Sequence, residues 1–245
     1  MPKLLYPVKD DTMASKCPYP HTLRQGLEVP PKFMTELPND KRGYPVPFFV
    51  DYFDGEPEFR AFDQQKMVDC IKKRLCWVCG NKLFREMVFV IGPMCAINRV
   101  NSEPPSHREC AMYSVRNCPF LSRPHMVRRE DGLPEEVIGN AAGIQIARNP
   151  GAMCLWFTRK YTIMKVPARE GVRPGILFQL GTPFRVQWYA EGRPATREEV
   201  VRSIETGLPL LLEANEKEST EKERAEGRRM IDAQVVSLMK MVPKT

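Results

Sequence analysis

Cys76-Trp77-Val78-Cys79-Gly80 and His107-Arg108-Glu109-Cys110 are the two most specific stretches of this chain; residues 80–106 separate the second cysteine from the histidine. In the first, two thiols share a tight turn, and glycine lets the backbone fold beneath them. Both sulfurs then converge at the short bond lengths zinc requires. In the second, Pro105 and Ser106 suit a helix start, so His107 and Cys110, three apart, share one helical face. The spacing predicts Zn2+ held by Cys76, Cys79, His107 and Cys110. Four protein ligands close a tetrahedral site, whereas a catalytic zinc keeps one position open for water.

Other cysteines compete for this role. Cys118 lies on the His107/Cys110 face but about 12 Å further along a continuous helix, too far to reach the same ion. Cys95, in Gly92-Pro93-Met94-Cys95-Ala96, is a loop thiol that could replace His107. An iron–sulfur cluster on Cys76, Cys79, Cys95 and Cys110 is the alternative cofactor. Treating all of these as merely buried thiols does not account for the second cysteine of the CxxC-Gly turn.

The chain of 245 residues is 42% hydrophobic, enough for a real core. Its opening residues, MPKLLYPVKDDTMASK, contain no apolar run of signal-peptide length, and Pro7 interrupts what there is. No stretch approaches the roughly 20 apolar residues of a membrane-spanning helix. The expectation is a cytoplasmic protein with no membrane partner. Its eight cysteines then sit in a reducing compartment, where clustered Cys and His read as metal ligands.

Charge is uneven. Between Lys66 and Arg129, twelve Lys or Arg stand against Asp69, Glu86, Glu103 and Glu109, a local excess of +8 in a chain of net +7. The basic excess coincides with the Cys/His block and points to an anionic partner, or else to a merely solvated surface. The candidate phosphate contacts are Lys72, Lys73, Arg74, Lys82, Arg85, Arg99, Arg108, Arg116, Arg123, Arg128 and Arg129.

Residues 1–62 hold ten of the 23 prolines and read as an extended arm, with an aromatic hairpin about Asp54-Gly55. Phe48, Phe49, Tyr52, Phe53, Phe59 and Phe62 belong to a core more readily than to a base-stacking platform. Asp63 caps a predicted helix to about Leu75, in which Cys70 is a core position. Strands are predicted at 86–92, 152–158, 161–166, 176–180 and 184–189, the later ones joined as antiparallel hairpins. Thr196-Arg-Glu-Glu199 is a capping box for a helix that stops at Gly207, with a second helix starting at Leu208-Pro209. Residues 216–229 read as a solvated helix or a flexible run. Ile231, Val235, Leu238 and Val242 form an apolar stripe that docks on the chain's own core or, less readily, on a second copy.

The block CWVCG…FVIGPMCAINRVNSEPPSHRECAMYSVRNCPFLSRPHMVRRE, with the later WYAEGRPATREEVVRSIETGLPLL, resembles an uncharacterised family of bacterial and phage proteins. The resemblance implies that Cys76, Cys79, Cys95, His107, Cys110 and Cys118 belong to one functional block, and it implies no activity.

Together these readings predict an α+β protein: a small antiparallel sheet with a treble-clef-like zinc module and C-terminal helices. Its parts are a Pro-rich arm and aromatic hairpin (1–62), a basic zinc-binding module (63–130), an antiparallel sheet region (131–194) and a C-terminal helical segment (195–245). The leading expectation is a non-enzymatic, zinc-stabilised nucleic-acid-binding protein of phage or mobile-element type. A protein-interaction factor binding a host complex is the rival. A metal-dependent nuclease is a third reading, with His125 as its remaining general base. Glycine loops of the GxGxxG and GxxxxGK[ST] types are absent.

Overall fold

The computed structural model describes residues 23–123, 131–133, 141–143, 149–168, 173–217 and 220–244. Cys17, His21, His125, Arg128 and Arg129 lie outside the described residues. The local signals at the N-terminal side act as sequence chemistry dictates. Asp54 (φ 51°) and Gly55 (φ 82°) make the two-residue turn between β1 (Val50–Phe53) and β2 (Glu56–Phe62). The Asp63 side chain then accepts from the amides of Gln65 and Lys66 and starts α1 (Gln64–Lys73).

Beyond α1 come β3 (Met87–Ile91), α2 (Pro93–Asn98), β4 (Val100–Asn101), α3 (Arg108–Asn117) and α4 (Pro119–Ser122). They are followed by β5 (Met153–Thr158), β6 (Tyr161–Val166), β7 (Gly175–Leu180), β8 (Arg185–Ala190), β9 (Arg193–Pro194), α5 (Arg197–Glu216) and α6 (Glu221–Met239). The architecture is α+β. Instead of one small sheet the strands form a β1–β2 hairpin, a four-stranded antiparallel sheet ordered β3-β5-β8-β9, and a three-stranded antiparallel sheet ordered β4-β7-β6. β5 and β6, consecutive in sequence, fall in different sheets.

β5 explains the layering. Every one of its residues is buried, because both faces are covered. Cys154 and Trp156 point with Phe89, Ile91 and Trp188 into the main core, where Phe178 and Leu180 of the second sheet and Val200, Leu211, Ile231 and Leu238 of the last two helices meet them. Met153, Leu155 and Phe157 face the other way, with Val88 and Tyr189, against Ala111 and Val115 of α3. The apolar stripe of α6 therefore docks on its own core. Phe48, Phe49 and Phe62 also pack on that core, and Phe49 stacks on Trp77 at 4.8 Å.

Two expectations at the C-terminus change. α5 does not stop at Gly207 but continues through Leu208 and Pro209 to Glu216. Gly207 is buried against α2, and a β-carbon there would lie 3.0 Å from Met94 Cε, so this glycine serves close helix approach and not termination. Proline deletes one helical hydrogen bond, and the α2 and α6 packing around α5 outweighs that loss. The charged run after 216 is helical from Glu221, behind a second capping box in which Thr220 and Glu223 hold each other's amides.

Candidate metal centre

α1 ends at Arg74 in the left-handed region (φ 55°), which turns the chain back on itself. Leu75 bridges Lys82, the Cys76 amide donates to Asn81 O (2.7 Å), and the Leu83 amide donates to Arg74 O (2.8 Å). Within this clasp the Gly80 amide donates to Cys76 O (2.9 Å). Gly80 has φ +72°, and the Phe48 ring lies 2.7 Å from where a β-carbon would stand. Glycine is required there on both counts. The Phe48 amide donates to Val78 O, so the aromatic arm clamps the knuckle from outside.

The second ligand pair arrives from the other direction. Ser106 exchanges two backbone hydrogen bonds with Val88 of β3, and the Trp77 amide donates to Pro105 O (3.2 Å). His107 is consequently set as the N-cap residue of α3, and Cys110 follows in its first turn. The knuckle and the helix keep the order expected of a treble clef. The strands between them do not form a hairpin of their own: β3 pairs with β5, and β4 with β7.

Cys76, Cys79, His107 and Cys110 are all buried, and one ligand atom from each lies within 4.8 Å of the others. Cys79 Sγ is 3.3 Å from His107 Nδ1, and Cys110 Sγ is 4.0 Å from the same nitrogen. A tetrahedral ion with bonds of about 2.0–2.3 Å separates its ligands by about 3.5–3.8 Å, so the spacing fits a metal ion. His107 Nε2 lies 3.0 Å from Lys82 O. A carbonyl only accepts, so Nε2 carries the proton and donates, leaving the Nδ1 lone pair aimed at the sulfurs. This outer hydrogen bond is what a metal-binding imidazole needs to hold its tautomer. The His107 amide donates to Cys76 Sγ (3.3 Å), and Asn81 Nδ2 to Cys79 Sγ (3.6 Å). Phe33 stacks on the imidazole at 4.7 Å and Phe84 tilts over it at 5.0 Å, screening it from water.

The electrostatics ask for a cation. Burial raises the Cys76 thiol, but hydrogen bonds with Cys110 and Cys79, and from the amides of Cys79 and His107, overcome it and pull the group well below the ordinary thiol range. Cys110 moves the opposite way, far above the ordinary thiol range, because its hydrogen bonds to the Cys76 and Cys79 sulfurs and its burial all favour the neutral form. One sulfur thus takes negative charge readily while its neighbour holds a proton against it. A dication in place of that proton lets Cys76 and Cys110 both ionise.

Among the described residues, the remaining cysteines stay outside the centre. Cys95 sits on α2 against the main core, where burial raises its thiol to about 11, and it is not brought to the centre. Cys70 is buried in the same core, and burial raises it to about 12. Cys118 joins α3 to α4. Of the eleven cations singled out in the sequence, Lys72, Arg74, Lys82, Arg85, Arg108 and Arg123 are exposed. Lys73 is exposed beside Asp69 (3.0 Å). Arg99 lies over the Trp156 ring at 4.6 Å, and Arg116 is half-buried between Tyr189 and Glu28. The sequence carries no signal for Phe33 or for the Lys82 carbonyl as supports of His107, since both depend on the chain's return.

Fold and centre together define an α+β protein built around a buried Cys3His cluster able to hold a metal ion. No protein-family model, curated protein or solved structure matches the chain. Among the described residues, no helix is long and apolar enough to cross a membrane.

Proposed function

We propose that Cys76, Cys79, His107 and Cys110 bind one Zn2+ in a closed structural site, and that the protein is a non-enzymatic nucleic-acid-binding module. The observation that carries the metal half is the convergence of four buried ligand atoms within 4.8 Å, with the free Nδ1 lone pair directed at the thiols. Three soft thiolates and one imidazole suit zinc. An iron–sulfur cluster wants four thiolates, and Cys95 stands apart. The zinc would pin the knuckle to the start of α3; it would supply scaffold, not chemistry. Replacing it with Co2+ should give the visible absorption of a tetrahedral thiolate-rich site, and a spectrum typical of six oxygen or water ligands would count against the assignment.

The nucleic-acid half rests on the +8 excess between Lys66 and Arg129 and on the exposure of Lys72, Arg74, Lys82, Arg85, Arg108 and Arg123. Such cations hold phosphates through charge, so affinity for DNA or RNA must fall steeply as salt rises from about 50 to 200 mM. Binding that is flat across this range would remove the phosphate contacts. The rival reading, a protein-interaction factor, draws on Met230 and Val236, which α6 leaves exposed. The nuclease reading turns on His125, which lies outside the described residues, because His107 is already committed on both ring nitrogens.

A further inference from the structure

We infer that the end of the four-stranded sheet beside the metal centre is a platform for single-stranded nucleic acid. The inference rests on the nucleic-acid reading above and names its surface and substrate class. β3 starts at Met87, β5 ends at Thr158 and β8 starts at Arg185, and the pairings Met87↔Thr158 and Phe157↔Arg185 set these three termini side by side. Phe84, Arg85, Arg159, Lys160, Phe184 and Arg185 are thereby gathered at one end of one sheet. Only the first two fall within the basic segment of the sequence.

Two features mark this end as a binding surface. Phe84 and Phe184 are 58% and 44% exposed, yet each is held. Phe84 rests on His107 (5.0 Å) and Phe33 (5.8 Å), and Phe184 stands edge-on to Phe157 (6.2 Å). Arg159 joins the two sides, with its guanidinium 4.5 Å over the Phe184 ring and 2.6 Å from Glu86. Glu86 is thus spent on Arg159. Among the described residues Arg85, Lys160 and Arg185 are exposed and have no ion-pair partner. From β3 across β5 to β8 is two strand spacings, about 10 Å, room for about three stacked nucleotides. Fixed rings interleaved with exposed cations, of which Arg185 also lies over the buried Phe157 ring at 5.5 Å, suit a chain that offers both phosphates and open base faces. A duplex keeps its base faces inside the stack, so the rings would have nothing to stack on.

The test uses the full-length, metal-loaded protein and fluorescence anisotropy with a labelled oligo-dT of about 20 nucleotides, long enough for one site. A duplex of the same length and anionic vesicles serve as competing ligands. The single strand should bind more tightly than the duplex, and three phosphate contacts, from Arg85, Lys160 and Arg185, should give a log–log salt slope of about −2. Phe84→Ala and Phe184→Ala should each weaken binding by about tenfold. Arg185→Gln should flatten the slope by about 0.7. Met230→Ala, an exposed apolar change on α6, should leave affinity unaltered, and melting midpoints of all variants identify any that fail to fold. Equal or tighter duplex binding, or oligo-dT binding indifferent to both phenylalanines in folded variants, overturns the platform while the nucleic-acid reading stands. Absence of binding to either nucleic acid overturns both. Phenylalanine-dependent binding to vesicles without oligo-dT binding would reassign this end to a lipid surface.

Discussion

His107 carries three duties at once: its amide donates to Cys76, its Nδ1 faces Cys79 and Cys110, and its Nε2 is tied to Lys82 O. Replacing it with alanine should therefore remove stoichiometric metal binding, as should Cys110→Ser, both read by metal content after gel filtration. Cys95→Ser should leave one metal per chain, since Cys95 packs on a different cluster. Gly80→Ala tests the knuckle from its backbone. It forces a β-carbon into the left-handed region and against Phe48, at a cost of about 1–3 kcal/mol in a denaturant melt of the metal-loaded protein. At this scale the sequence was most legible. The CxxC-Gly and HxxC spacings name the four converging residues because each pair is local, on a turn or at a helix start. Their supports were not legible: Phe33 and Phe84 reach the imidazole only through long-range packing.

At the scale of elements, rules confined to three or four residues succeeded and rules of termination did not. Asp63 and the Thr196–Glu199 box cap their helices as their spacing implies. Gly207 and Pro209 look like a helix end, yet α5 runs on because its buried face meets Met94 and α6. Thr196→Ala should cost about 1 kcal/mol in thermal or chemical unfolding. The cap also responds to acid. The Arg193 guanidinium's hydrogen bond holds the Glu199 carboxyl below its ordinary value, so its folded-state pKa lies below the unfolded one. That contribution is complete above the ordinary glutamate range and fades as pH falls through the lowered value. Glu199→Gln should accordingly reduce the acid sensitivity of unfolding, measured as the midpoint at pH 6 against pH 3.

Across the whole molecule, the segments before and after residue 124 are woven together. β3 and β4 from the first segment pair with β5 and β7 from the second. In the sequence the two-residue gap between β5 and β6 looks like a hairpin, whereas the chain crosses between sheets there. Loss of the metal should thus be felt beyond the knuckle. Trp77 lies between the two cysteines of the turn and packs in the main core with Trp156 and Trp188. Chelation should shift tryptophan fluorescence and lower the melting temperature, and so should acid, because the thiols must lose their protons to bind the ion. Elemental mass spectrometry of protein purified without added metal is the most direct test of the Cys3His centre. One zinc per chain, lost in Cys110→Ser, is the expected result; iron in its place, or metal-free chains whose melting is unchanged by a chelator, would rule the zinc centre out.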